Sequence, residues 1–230
     1  MIDVSIIIPT LNEEKALPIT LASLQPMREQ GVEVIVVDGG STDNTVKCTE
    51  GLADAVIGSP AGRAFQLNKG ASLATGQILL FLHADTLLPD GAIDFMLQKT
   101  RQQKASWGRF DVQLDGSILA FRIIGKMMNW RSCLTSIVTG DHAMFVSKEL
   151  FEEVNGYPPI ELMEDIAISK KLKRKARSIC IHQAVVTSSR RWQQNGVLRT
   201  ILLMWWLRGA YFFNKAPSLL AKQYRHNRFN

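Results

Sequence analysis

Carboxylates in this chain gather where apolar runs stop. Glu13 and Glu14 follow VSIIIPT, Asp38 ends the apolar part of VEVIVVDGG, and His83 with Asp85 closes QILLFLHAD. A further pair, Glu164 and Asp165, opens a segment that carries Ile168, Leu172 and Ala176 on one helical stripe. Taken singly, each has a local explanation: Asn12 suits a helix cap, Asp38 a tight turn with its two glycines, and Asp85 a strand terminus. Several at one edge of one sheet point to chemistry instead. A divalent cation shared with a diphosphate would give such acids a purpose, because Mg²⁺ and Mn²⁺ take carboxylate oxygens while bridging phosphates and need only one or two protein ligands.

The elements that would position these groups alternate. VSIIIPT reads as a strand, followed by a helix capped by Asn12 with Leu17, Leu21 and Leu24 on one face and Pro18 in its first turn. Residues 32–40 form a second strand stopped by Gly39 and Gly40, and Ser41 and Asp43 suit a helix start. AVIGSP gives a short third strand, GRAFQLNKGASLAT a helix and QILLFLHAD a fourth strand. Apolar strands buried on both faces, with helical crossovers, predict a mostly parallel, doubly wound α/β sheet. Ligands in such sheets bind beyond the carboxyl ends of the strands, where the clustered acids fall.

Composition narrows the partners. The chain has 230 residues, 46% of them apolar, and a net charge of +6, so it can bury a core and favours anionic company. Cys48, Cys133 and Cys180 show no metal-finger spacing, so neither a disulfide framework nor a zinc site is expected, and a reducing, cytoplasmic setting fits. MIDVSIIIPT lacks the basic flank and cleavage site of a secretory signal.

The segments IIIPTLNEE, VVDGGSTDNT, GRAFQLNKGASLATG, LLFLHADT, GDHAMFVSKELFEEVNGYPP and MEDIAIS, in that order, resemble the motif series of the family 2 glycosyltransferases, inverting enzymes of GT-A fold. The resemblance covers roughly residues 3–175. It implies a nucleotide-diphospho-sugar donor, an acceptor hydroxyl on a lipid-linked or small molecule, and Mn²⁺ or Mg²⁺ as cofactor. It implies that Pro9, Thr10 and Glu13 line the nucleotide pocket, that Asp38 contacts base or ribose, and that Arg63 and Asn68 lie near base and diphosphate. His83-Ala84-Asp85 stands where the family has its DxD motif, so Asp85 would be the metal ligand. The first acid of that motif is replaced by His83, which leaves open whether the imidazole meets metal, ribose or phosphate, or only closes the strand. Asp165 resembles the general base, with Gly140, Asp141 and Glu164 beside it on the acceptor side. Residues 1–110 would form the nucleotide-sugar half and 111–230 the acceptor half of one continuous fold.

The chain departs from the family further on. Arg191-Trp192 resembles the end of the QxxRW signature of processive members, but Ser188 stands where Gln belongs, which argues against polymer synthesis. The basic run 170–177 lacks the interleaved aromatics of a nucleic-acid site, and no nucleic-acid partner is expected; a solvated helix face or an anion site remains. VLRTILLMWWLRGAYFF, residues 197–213, falls short of the ~20 residues that span a bilayer, and Arg199 and Arg208 lie on opposite faces. That leaves a helical C-terminal extension packed between protein and a membrane interface, or a buried element with paired arginines. A fold that binds nucleotide-sugar or lipid without catalysis is the alternative to an enzyme. A pyrophosphorylase would need a Gly-rich basic loop after the first strand, where PTLNEE stands.

Overall fold

The computed structural model describes residues 3–104, 106–213 and 215–226. In chain order the elements are β1 (Val4–Thr10), α1 (Leu17–Glu29), β2 (Glu33–Asp38), β3 (Ala55–Gly58), α2 (Arg63–Leu73), β4 (Ile78–Phe81), β5 (Thr86–Leu87), α3 (Ala92–Gln103) and β6 (Trp107–Leu114). There follow α4 (Leu119–Thr135), β7 (Phe145–Ser147), α5 (Lys148–Glu153), α6 (Glu164–Lys175), β8 (Ile179–Thr187), α7 (Arg190–Asn195), α8 (Val197–Phe212) and α9 (Pro217–His226).

The strands form one eight-stranded sheet in the order β3-β2-β1-β4-β7-β6-β8-β5. The part β3-β2-β1-β4 is parallel, with Ile6 opposite Val34 on one side and Leu80 on the other. β7 runs antiparallel to β4 and β6, β8 parallel to β6, and β5 antiparallel to β8. The chain reverses its direction of travel across the sheet between β1 and β4, which makes the carboxyl ends of these two strands a topological switch point.

Both faces of the sheet are covered, as the apolar strands require. Side chains alternate along β1: Ile6 and Ile8 join Leu17 and Leu21 of α1 and Met96 of α3, while Ile7 joins Leu67 of α2, Phe151 of α5 and Ile168 of α6. Each such fully buried side chain stabilises the fold by roughly 1.5–3 kcal/mol. Gly70 lets α2 lie close on the sheet, since a Cβ there would run into Ile7 and Val37.

Three expectations change. Asn12 does not cap α1, which begins at Leu17; Asn12 sits at φ 55°, accepts from the Thr42 amide at 2.9 Å and donates its own amide to Ser41 Oγ at 2.9 Å. Ser41 and Asp43 start no α-helix. Ser41 binds Asp38, Asp43 accepts from the amides of Thr45 and Glu14, and the segment makes only a 3-10 turn at Lys47–Thr49. Short polar side chains here satisfy the backbone in place of helical bonds, and they latch the exit loops of β1 and β2 together.

The cysteine reading is also overturned. Cys133 of α4 and Cys180 of β8, 47 residues apart in sequence, are joined in a disulfide with Cα atoms 5.9 Å apart. Such bonds persist in oxidising surroundings, so the reducing compartment is not carried forward. Finally, α8 is half covered. Leu207 is buried with Leu220 of α9 and Met163 and Ile166 around the start of α6, while Leu198, Leu202 and Trp205 face outward. No helix among the described residues is long and apolar enough to cross a membrane.

Candidate active site

The site forms where β1 and β4 end. Pro9 from β1, His83 just after β4, Arg63 at the start of α2, Gly140, and Glu164 with Asp165 at the start of α6 line one crevice. Groups that the sequence assigns to opposite substrates therefore meet. The link is the turn Gly140–His142, whose Gly140 amide donates to Asp165 Oδ2 at 3.3 Å while Asp141 Oδ1 lies 3.4 Å from His83 Nδ1. Gly140 is required by the space, because a Cβ there would strike His83 Nε2 and Arg63.

His83 Nε2 also contacts Arg63 Nη2. A guanidinium only donates, so Nε2 accepts and Nδ1 carries the proton that faces Asp141. Both ring nitrogens are thus engaged by protein. Burial alone would raise Asp141, but the hydrogen bond from His83 and the positive charge of Arg63 hold it well below the usual carboxylate range.

Glu164 is buried and lies 3.2 Å from Arg63 Nε. Burial pushes its carboxyl up to about 7, the charge of Asp165 adds to this, and Arg63 opposes it. Desolvation would lower Arg63, yet Glu164, Asp165 and Asp141 more than offset that, and it stays firmly cationic. Burial raises the Tyr157 hydroxyl well above its ordinary value, keeping it a neutral donor. Asp165 itself takes the Ile166 amide on Oδ1 at 2.7 Å, which fixes its carboxylate at the amino end of α6.

A second acidic pair lies nearby. Arg190 Nη2 bridges the two Glu13 oxygens at 3.0 and 3.1 Å and stands 4.0 Å from Asp85 Oδ2. The β5–β8 pairing makes this possible: Thr86 sits opposite Thr187, and the Ser188 amide donates to the Asp85 carbonyl, so the chain turns into α7 beside Asp85. Among the described residues no three acids, histidines or cysteines cluster tightly enough to hold a metal by themselves. Asp85 still offers one hard oxygen donor at the switch point, with Arg190 beyond direct hydrogen-bond length. That set fits a cation shared with a substrate diphosphate and does not fit a closed protein cage.

Other expected residues are placed differently. Asp38 accepts from the Gly40 and Ser41 amides, both at 2.9 Å, and from Ser41 Oγ, so its carboxylate shapes the loop after β2. The Thr10 carbonyl accepts from the Gly39 amide and from the buried Gln66 side chain. Asn68 uses its amide on both backbone groups of Tyr157, at 2.8 and 2.9 Å. Arg191 stacks 4.5 Å over the Tyr224 ring, and Trp192 packs against Leu114, Phe121 and Ile124. The basic run on α6 is largely committed to the protein: Lys171 donates to Val154, Lys173 to Thr135, and Lys175 pairs with Glu153. A helix end dressed with cations explains it.

Several contributors were assigned no role in sequence. Arg190 neighbours a motif-like pair but is not part of it, Arg131 stands in a segment read only as a helix, and His142 and Tyr157 lie inside the motif-like segment GDHAMFVSKELFEEVNGYPP without being singled out.

The family described as Glycosyl transferase family 2 matches residues 5–154, which include every crevice residue except Tyr157, Glu164 and Asp165. The chain belongs to that family. Similar proteins include a poly-beta-1,6-N-acetyl-D-glucosamine synthase of Staphylococcus epidermidis, 26% identical over 216 residues, covering 83% of this chain and 52% of its own. A PGL/p-HBAD biosynthesis glycosyltransferase of Mycobacterium bovis is 41% identical over 91 residues, 36% of each chain. This family 2 chain thus spans between about a third and about half the length of those relatives. A mannosyltransferase of Pyrobaculum calidifontis, solved with GDP-Man and Mn²⁺, shares the fold at a TM-score of 0.66 and 20% identity, over 94% of this chain and 66% of its own. The fold of this family 2 member is of GT-A type.

Proposed function

We propose that this chain is an inverting glycosyltransferase that moves a sugar from a nucleotide-diphospho-sugar to an acceptor hydroxyl, with Asp165 as general base. The observation that carries the reading is the shared crevice, in which Asp165 and the donor-edge pair His83–Arg63 are linked through Gly140 and Asp141. The nucleotide would lie over the loops after β1 and β2, where Pro9, Thr10, Glu13 and the Asp38-shaped turn form the wall. The acceptor oxygen attacks the anomeric carbon as the bond from that carbon to the diphosphate oxygen breaks, and the leaving diphosphate keeps the bonding pair. Asp165 takes the acceptor proton, and Arg63 offers fixed positive charge beside the reaction. A divalent cation held by Asp85 would, when bound, neutralise charge on the leaving diphosphate. The fold neighbour with GDP-Man and Mn²⁺ supports both donor class and cation.

Release of nucleoside diphosphate from a panel of nucleotide-sugars, with Mn²⁺ or Mg²⁺ present, tests the reading. Consumption of one donor is expected. Binding of donors without consumption of any would favour a silent binder.

The same protein would work against an anionic membrane surface. The outer face of α4 carries Leu119, Ile123, Met127, Trp130 and Leu134 at helical spacing, with exposed Arg122 and Lys126 between them. Its inner face meets the first turn of α8, whose own outer face exposes Leu198, Leu202 and Trp205. Apolar side chains interleaved with cations match the boundary of an anionic bilayer, where each basic residue contributes ~1 kcal/mol. Sedimentation with phosphatidylglycerol-containing vesicles should pull down the wild type in a salt-sensitive way, and Trp130→Ser with Trp205→Ser should weaken it. No sedimentation, or a dimer by light scattering without lipid binding, would contradict this.

A further inference from the structure

Behind Asp141 and Asp165 the protein gathers positive charge that no mechanism above uses. Arg131 on α4 and Arg208 on α8 lie within each other's field and within that of both acids. Arg109 on β6 and His142 complete the cluster. Arg109 is neutralised by Asp111 and donates to the Asn129 carbonyl at 2.7 Å. Arg131 and Arg208 have no equivalent. Arg131 Nε and Nη2 and Arg208 Nε are shielded from solvent, yet no protein group accepts from them. Asp141 and Asp165 are already occupied, by His83 and by the Gly140 and Ile166 amides.

Two guanidinium groups close enough to feel each other's charge, without a bonded acid, are costly. Burial and the like charge of Arg208 push Arg131 down to about 10, against the pull of Asp165 and Asp141. Buried donors that lack acceptors add to that cost. A bound oxyanion would remove both penalties, because the planar fork of arginine matches the paired oxygens of a carboxylate or phosphate. The donor's diphosphate is the other source of such oxygens. The donor edge, however, has its own arginines in Arg63 and Arg190, whereas α4 and α8 approach from the Asp165 side.

Resting on the transferase reading above, we propose that the acceptor is an anion, and that Arg131 and Arg208 bind its carboxylate or phosphate so that its hydroxyl faces Asp165. These two arginines would then select the acceptor, while the residues around β1 and β4 hold the donor.

Inorganic phosphate is the probe, titrated calorimetrically into protein alone and into protein saturated with a nucleoside diphosphate and Mg²⁺. Saturable phosphate binding that persists with the nucleotide site filled is expected. Arg131→Gln and Arg208→Gln should each weaken it about tenfold or more and leave nucleotide affinity unchanged. Arg131→Lys, which keeps the charge but loses the fork, should weaken phosphate too, and it guards against a Gln variant that fails to fold. Phosphate that binds only when nucleotide is absent would assign the arginines to the donor's diphosphate and overturn the proposal, as would no saturable binding at all. Failure of nucleoside diphosphate to bind would sink the transferase reading instead, and the titration of protein alone would still report on the arginine site.

Discussion

Asp165→Asn should bind nucleotide donor as the wild type does and transfer its sugar ~10²–10⁴-fold more slowly, the usual contribution of general-base catalysis. The amide keeps the size of the carboxylate, and its one carbonyl oxygen can still accept the Ile166 amide at the start of α6, while the longer 3.3 Å contact from the Gly140 amide is given up. The proton acceptor is lost, and it acts in the transition state, so turnover should fall while donor affinity stays level. Glu164 is the rival base. Its carboxyl, pushed up to about 7, is mostly protonated below that pH and would impose a rising limb on the rate near neutrality. Glu164 faces Arg63, however, whereas Asp165 faces Gly140. Glu164→Gln should therefore cost less than Asp165→Asn. A wild-type rate in Asp165→Asn, or a rising limb near pH 7 in the wild type together with full loss of activity in Glu164→Gln, would move the base to Glu164.

Chelation by EDTA should slow donor turnover by ~10²-fold or more, since Lewis-acid stabilisation of a leaving oxygen contributes several kcal/mol. The residue that ties this effect to the site is Asp85. Asp85→Asn should weaken nucleoside diphosphate binding in Mn²⁺ and change it much less without metal, because the protein's hold on the cation is lost while the loop contacts survive. The β5–β8 pairing and the Ser188 contact to the Asp85 carbonyl use backbone and threonine groups, so the substitution leaves them in place. Equal affinities with and without metal in the wild type would remove Asp85 from the cation and leave charge neutralisation to Arg63 and Arg190.

The parallel half of the sheet was legible because its strands are continuous β-branched runs buried on both faces, a pattern that only crossover helices can cover. The crevice was legible for the same reason: Pro9, His83 and Asp85 had to fall at the carboxyl ends of β1 and β4. Side-chain direction was not legible. Asn12 and Ser41 are ordinary helix-cap residues by type, and only the adjacency of two exit loops, about 30 positions apart in sequence, turns them into a latch. Asn68 lies midway along α2, but the Tyr157 backbone claims its amide across 89 positions. Arg190 reaches Asp85 through a pairing of two-residue β5 with β8, which no local periodicity announces. The disulfide is of the same kind, since Cys133 and Cys180 meet only because α4 lies on β6 and β6 pairs with β8.

The anomeric proton of the sugar freed from the consumed donor tests the central claim most directly. Water can stand in for the acceptor, and proton NMR at early times, before the free sugar mutarotates, reads the configuration at the carbon attacked. One displacement assisted by Asp165 should release the anomer opposite to that of the donor. Release of the donor's own anomer would contradict a single displacement at this crevice.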